Sequence, residues 1–367
     1  MKPIAIIGAG GYVGARLIEK AELLGDIPLV PIVRSWRSQG RLARYGVCTV
    51  RGDAGDSASL IPLLRGCGMA VNLTMGDNGR MVGDAKAIYH ACRAEEVPLL
   101  VHMSSAEVFG RADVADLKED SVPSFRHWME YGRAKAAAEA WLRSQSGGPV
   151  RVVILRPGLI WGPGSGWLLQ PAQALTEGTA FLINGGTGIC NLIHVDNLIQ
   201  HLLQLANDPK AESGVFNIAD PQTLTWADYY RAIAAEIGVD DSTISMLPES
   251  VFREGLLQKL AALGQLPPAK AIKRRMHSTT KVRIKQQLQD RYRAPISQSV
   301  QIEPVPVVTK NLWWIQGTAR KLPSNAFRER FPDMKLQSFD ELIAAAGRWL
   351  RYAGFEGDIP NLGPNEM

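Results

Sequence analysis

At 367 residues the chain is long enough for one large or two modest domains, and its 46% hydrophobic and 21% charged residues fit a soluble globular protein. A formal net charge of +5 is small for this size, which disfavours a nucleic-acid partner and leaves room for an anionic small molecule. Cys48, Cys67, Cys92 and Cys190 show no disulfide or CxxC spacing, the six histidines show no metal-ligand spacing, and no apolar run nears the roughly 18 residues of a membrane span.

Ile4 to Ile7 is a short β-branched run, which predicts a buried parallel strand. A glycine turn follows, with Gly8, Gly10, Gly11 and Gly14 around Tyr12 and Val13, and then an amphipathic helix carrying Leu17, Ile18 and Ala21. Gly8 suits the tight turn, Gly11 the approach of backbone to a pyrophosphate, and Gly14 close packing of helix on strand. The helix N-terminus then directs unpaired N–H groups at the phosphates of a dinucleotide. Ile27 to Val33 is the expected second strand, ending at Arg34, where an NAD-type site usually holds an acid that bonds the ribose 2′-hydroxyl. Arg34, followed by Ser35, Arg37 and Arg41, suits a 2′-phosphate instead, so NADP is expected in preference to NAD. Val47 to Val50 reads as a third strand with Gly52 and Asp53 at its end, the Asp at a position suited to the adenine amine. Met69 to Leu73 is a fourth, whose tip of Leu73, Thr74 and Met75 would face the cofactor. A helix over Asp84 to Glu95 and a strand over Leu99 to Met103 continue the alternation. That pattern implies a doubly wound parallel α/β sheet of Rossmann type, with ligands at the carboxyl ends of its strands.

Ser104 and Ser105 stand directly at a strand end. Tyr131 and Lys135 lie four apart, leading into a helix over Ala136 to Arg143, so on a helix they share one face. A phenol is a poor base at neutral pH, and a neighbouring ammonium should bring Tyr131 toward working pH by stabilising the phenolate. A serine hydroxyl nearby can hold a substrate oxygen while hydride moves. These stretches resemble the extended short-chain dehydrogenases/reductases of the NAD-dependent epimerase/dehydratase family. The matching pieces are Gly8 to Gly14, Gly52 with Asp53, Ser104 to Gly110, Tyr131 to Lys135, Arg156 to Pro163 and Ile193 to Asn197, in the family's order. The resemblance implies that Ser105, Tyr131 and Lys135 are catalytic, and that Pro157, Gly158 and Ile160 line the nicotinamide. Ser104, Tyr131 and Lys135 join the expected cofactor-binding set. It also implies a Rossmann domain over residues 1–165 that regains 191–220, and a smaller, mostly C-terminal substrate lobe over 166–190 and 221–367.

Three departures from the family pattern bear on function. Arg34 replaces the usual acid. Ala106 and Glu107 stand where dehydratases carry Asp or Ser followed by Glu. In extended geometry Glu107 would share a face with Ser105 and meet substrate as a second acid/base; the alternative is a glutamate that bonds backbone at the rim. Cys190 occupies the position, four before His194, where nucleotide-sugar epimerases usually place an arginine. Further on, Val150 to Leu155 and Val215 to Ile218 read as strands, Gly162 to Gly166 as a flexible entry loop, and Thr225 as the cap of a helix reaching Ile237. A basic stretch spans 270–293, and Phe339 to Tyr352 is an amphipathic closing helix. Leu312, Trp313 and Trp314 could meet a membrane surface, though no long apolar face favours it.

The expected protein is thus an NADP- or NAD-dependent oxidoreductase, epimerase or dehydratase acting on a secondary hydroxyl or ketone. Its first expected substrate is a sugar or nucleotide sugar; the alternative is a lipid or steroid-like ketone. A catalytically silent NADP-binding regulator is the reading from another class. A cytoplasmic homodimer without metal completes the expectation, the compartment following from the cysteine usage and the absence of a signal peptide.

Overall fold

The computed structural model describes residues 2–25, 27–110, 116–121, 123–124, 128–208, 210–251 and 306–355. The basic stretch 270–293 lies outside the described residues. The chain opens with β1 (Ile4–Ile7), α1 (Tyr12–Leu24), β2 (Leu29–Val33), α2 (Trp36–Leu42), β3 (Val50–Arg51), α3 (Ser57–Leu64), β4 (Met69–Asn72), α4 (Met81–Ala94) and β5 (Leu99–Met103). It continues through α5 (Glu130–Arg143), β6 (Arg151–Pro157), β7 (Leu159–Trp161), α6 (Gly166–Thr176), β8 (Phe181–Ile183), β9 (Ile189–Cys190), β10 (Leu192–His194) and α7 (Val195–Asn207). The last elements are β11 (Gly214–Ile218), β12 (Leu224–Thr225), α8 (Trp226–Ile237), β13 (Ser245–Leu247), α9 (Lys310–Gln316), α10 (Asn325–Arg330) and α11 (Phe339–Tyr352).

Seven strands form one parallel sheet in the order β3-β2-β1-β4-β5-β6-β11. The order reverses between β1 and β4, where Ile7 pairs with Ile32 on one side and Asn72 on the other. That reversal opens a crevice at the strand carboxyl ends, the usual ligand position in such sheets. Side-chain alternation divides the buried residues between two faces. Ile4 and Ile6 pack with Leu17, Ile18, Leu198 and Leu202, while Ala5 and Ile7 pack with Leu60, Ile88 and Leu142. β2 begins two residues later than the sequence suggests, and β3 has only Val50 and Arg51. As the sheet edge, β3 pairs solely with Ile32 and Val33 at the end of β2.

A second core gathers Trp161, Leu168, Leu182, Trp226, Ile233, Ile343 and Leu350. Its helices α8 and α11 have the ends read from the sequence. Thr225 with Asp228, and Ser338 with Glu341, form reciprocal capping boxes that satisfy first-turn N–H groups. The expected entry loop over Gly162 to Gly166 is shorter, because buried Ser165 caps α6 and Gly166 already begins it. Asp220 joins the two cores, accepting from the indole of Trp161 (3.1 Å), the His194 amide (2.8 Å) and Asn197 (2.7 Å).

The assignment of all of 221–367 to the second lobe is corrected by α10. Phe327 is fully buried in the first core, its ring 5.2 Å from that of Phe216 on β11. β11 is the edge of the sheet, and its apolar face needs cover. The membrane expectation for α9 also meets a different use of its side chains. Leu312 and Trp314 pack on the second core, and the Trp313 indole donates to the Glu249 carbonyl at 2.7 Å. Among the described residues no helix is long and apolar enough to cross a membrane, and no cluster of His, Cys, Asp or Glu could hold a metal ion.

Candidate active site

A cleft of about 990 Å³ runs along the carboxyl ends of the sheet, near the upper limit of the roughly 300–1,000 Å³ of small-molecule sites. Gly8, Gly10, Gly11, Tyr12, Val13 and Gly14 line it below the start of α1. Gly8 has φ +92, and a Cβ there would come within 3.0 Å of the Leu73 carbonyl carbon. At Gly14 a Cβ would lie 2.7 Å from Ala9 Cα, so the β1–α1 turn closes only with glycine at both positions. Gly11 caps α1 without any side-chain bond, leaving the first-turn amides to an anion. This cradle fits the pyrophosphate of a dinucleotide.

On the β2 side, Arg34 and Asp53 line the cleft together with Ser38, Arg80 and Asp84, which sequence reasoning missed. Ser35 caps α2 through Ser38 N, and the two hydroxyls lie 3.1 Å apart, placing two small hydroxyls beside Arg34. Asp53 accepts from the Gly55 amide at 2.9 Å and pairs with the Arg80 guanidinium, both of which hold its carboxyl below the usual range. Its expected partner, an adenine amine, would therefore meet a carboxylate already engaged by Arg80. Leu73, Thr74 and Met75 line the cleft beyond β4, with Thr74 fixed by Asn72 Oδ1 through its amide (3.1 Å) and hydroxyl (2.7 Å).

In the middle of the cleft, Ser104, Ser105, Glu107, Tyr131 and Lys135 meet Pro157, Gly158 and Ile160. Tyr131 and Lys135 fall on the first turns of α5, which begins earlier than the Ala136 read from the sequence. The Tyr131 hydroxyl is hydrogen-bonded to Ser105. Burial pushes the Tyr131 pKa up, the Ser105 bond lowers it, and the Glu107 carboxylate raises it further. The expectation that Lys135 draws this phenol toward neutral pH is thus not met here. The ammonium donates to the Met103 carbonyl at 2.7 Å and lies 5.9 Å from the Tyr131 ring centre, so burial of the phenol wins. Burial also brings the Lys135 pKa down to about 8, opposed by Glu139.

Glu107 lines the cleft, but not by the expected strand alternation. Ala106–Phe109 is a 3₁₀ turn capped by Ser105, whose Oγ accepts from the Glu107 amide at 3.2 Å. The Glu107 carboxylate acts electrostatically on both Tyr131 and Arg320, the latter brought in from the chain after α9. On the side of the second lobe the lining is Met129, Leu159, Trp167, Gln170, Asn311 and Leu312. Local spacing carries no signal for these, because they come from four separate segments. Cys190 is 2% exposed and belongs to the second core, so its position presents no cation to the cleft.

A parallel sheet with a glycine turn at its switch point and a Ser-Tyr-Lys constellation in the adjoining cleft defines a nucleotide-dependent oxidoreductase class. The family model for the NAD dependent epimerase/dehydratase family matches residues 4–219, and the chain belongs to that family. It is similar to the 2-alkyl-3-oxoalkanoate reductase of Stenotrophomonas maltophilia (strain K279a), at 26% identity over 278 residues, 69% of this chain and 81% of that protein. It is also similar to the decarboxylating sterol-4-alpha-carboxylate 3-dehydrogenase of Schizosaccharomyces pombe, at 29% identity over 48% of this chain and 53% of that one. Among solved structures, dTDP-glucose 4,6-dehydratase from Bacillus anthracis in complex with NAD shares the fold with a TM-score of 0.68 at 12% identity, covering 97% of this chain and 99% of that one.

Proposed function

We propose that the protein is an NADP-dependent oxidoreductase that interconverts a ketone and a secondary alcohol on a largely apolar substrate whose carboxylate is carried by the carbon adjoining the reacting one. The observation that carries this reading is Tyr131: a buried phenol, bonded to Ser105 and disposed to keep its proton, where the dinucleotide cleft opens onto Met129, Leu159, Trp167 and Leu312. A protonated phenol beside a serine hydroxyl is equipped to protonate a ketone oxygen. In both relatives' names a carboxylate sits on the carbon adjoining the one that carries the reacting oxygen. Near Glu107, Arg320 lies with its guanidinium 5.2 Å over the Trp314 ring and donates to Thr318 Oγ1 and the Gly110 carbonyl.

When bound, the nicotinamide cofactor supplies or accepts the hydride. Ser105 holds the substrate oxygen, and Tyr131 passes its phenolic proton to that oxygen in reduction or recovers it in oxidation. Lys135, fixed by Met103, would hold the nicotinamide ribose, and Arg34 with Ser35 and Ser38 would take the 2′-phosphate. A nucleotide-sugar substrate, the first expectation from the sequence, has its own sequence relative in the UDP-glucose 4-epimerase of Vibrio cholerae, at 23% identity over 71% of this chain, but buried Cys190 offers its diphosphate no arginine.

The test is NADPH oxidation with a series of 2-alkyl-3-oxo acids of rising chain length, set against dTDP-glucose and UDP-glucose incubated with NADP+ or NAD+ and followed by product analysis. The expected result is a kcat/KM that climbs with alkyl length, about tenfold for two buried methylenes, and no turnover of the nucleotide sugars. Turnover of a nucleotide sugar in place of the oxo acids overturns the substrate assignment.

A further inference from the structure

Beneath the cleft lies an ion pair that no step above uses. Glu139 and Arg156 are both 0% exposed. Arg156 donates through Nε to both carboxylate oxygens at 3.1 Å and through a terminal nitrogen at 2.7 Å. Its guanidinium also lies 4.8 Å from the Phe109 ring centre and donates to the Glu119 carbonyl at 3.1 Å. The second link of the carboxylate is to the Ser104 hydroxyl. Replacing such a pair by apolar residues of similar size often leaves a fold as stable or more so, so stability alone gives weak grounds for its presence.

The position of the pair suggests another use. Glu139 is one helical turn beyond Lys135 on α5 and faces the same way. Ser104 immediately precedes Ser105, and its amide donates to Leu155 O at 2.8 Å. Arg156 on β6 immediately precedes Pro157, the last residue of that strand, and Gly158. One buried carboxylate therefore ties together the catalytic helix, the serine strand end and the wall expected to meet the nicotinamide. We propose that the Glu139–Arg156 pair is a positioning device: it locks α5, β5 and β6 in register and keeps the Lys135 ammonium charged against the cofactor. The proposal rests on the assignment of Lys135 to the cofactor made above.

Four titratable or charged groups surround Lys135. Tyr131 and Glu139 lie on its own helix. His102 on β5 is neutral, since burial and the Lys135 charge lower its pKa to about 3, and Arg156 on β6 reaches the Glu139 carboxylate. Of these, Glu139 is the group that supports the ammonium, opposing the burial that brings Lys135 to about 8. Removing it should move the loss of the ammonium to lower pH.

The experiment compares wild type with the double variant Glu139→Met/Arg156→Met, which deletes both charges together. Three quantities are read: Tm, the Kd for NADPH by fluorescence from pH 6 to 9.5, and kcat with the best 3-oxo acid of the series. The expected double variant folds with a Tm near wild type. Its NADPH affinity falls off at a lower pH than in wild type, and its kcat drops about 10²-fold, the scale of a misplacement near 1 Å. A folded variant with the wild-type pH limb and kcat would overturn the proposal and leave the pair purely structural. If the double variant does not fold, Glu139→Gln is read instead, since it keeps size and can still bond Ser104. A down-shifted affinity limb supports the proposal, and an unmoved one overturns it. Tyr131→Phe runs alongside: full turnover there defeats the catalytic reading of Tyr131, whereas the binding limb, which needs no turnover, still decides the positioning role.

Discussion

Arg34 is exposed at the rim of the cleft, beside the Ser35 and Ser38 hydroxyls; its charge adds to the Gly55 and Arg80 contacts that lower the Asp53 pKa, while burial raises that of Asp84 against it. A 2′-phosphate there would gain a charge-assisted bond of about 1.5–3 kcal/mol, roughly one to two decades in affinity. Arg34→Ala should therefore weaken NADP binding by that factor and leave NAD binding nearly unchanged, as calorimetric titration of both cofactors would read. Equal losses for the two cofactors would assign Arg34 to the adenosine in general. Arg80 complicates the same corner, because its pairing with Asp53 and Asp84 places a second cation at the cleft. Nothing in local spacing announces the pairing with Asp53, which joins residues 27 positions apart.

At the scale of elements, the second lobe depends on well-capped helices. α8 starts at a reciprocal box between Thr225 and Asp228 and ends at Gly238, whose φ of +68 closes the helix in the left-handed region. Its buried face, with Trp226, Tyr229, Tyr230, Ile233 and Ile237, packs against α11 and α6. Thr225→Ala should cost about 1 kcal/mol of unfolding free energy by removing the cap, measurable as a lower urea midpoint at unchanged slope. Thr225→Ser, which keeps the hydroxyl, should restore most of it. The α5 element behaves differently. Its N-cap Met129 makes no side-chain capping bond, and Lys135 in its second turn is fixed to the Met103 carbonyl.

For the whole molecule, the joint between the two cores passes through Asp220. Its carboxylate accepts from Trp161 on β7, His194 at the end of β10 and Asn197 on α7, and burial raises its pKa. Asp220→Ala would leave the buried Trp161 indole and His194 amide unpaired, at about 1–3 kcal/mol for each, and Asn197 with only the Gln337 carbonyl. The expected loss of at least about 2 kcal/mol should appear in chemical denaturation as a lower midpoint, with both lobes losing structure together. A stability within experimental error of wild type would show that the joint does not depend on this carboxylate. Arg16 and Lys20 on α1 strengthen the same region from the other side, pairing with Asp196 at 2.7 and 3.0 Å.

The sequence by itself determined the features that are written within one strand, turn or helix. The βα alternation, the glycine turn after β1, the shared face of Tyr131 and Lys135, and the bounds of α8 and α11 follow from periodicity and capping. Neighbouring residues are enough to impose these. Tertiary structure alone decided how the side chains are used. Glu107 enters the cleft from a 3₁₀ turn, Tyr131 keeps its proton because burial outweighs Ser105, and Phe327 returns from the C-terminal part to cover β11. Glu139 and Arg156 meet under the cleft from a helix and a strand. Burial and charge pairing sum over residues far apart in the chain, so proton affinities and buried pairs become definite only once the chain has folded.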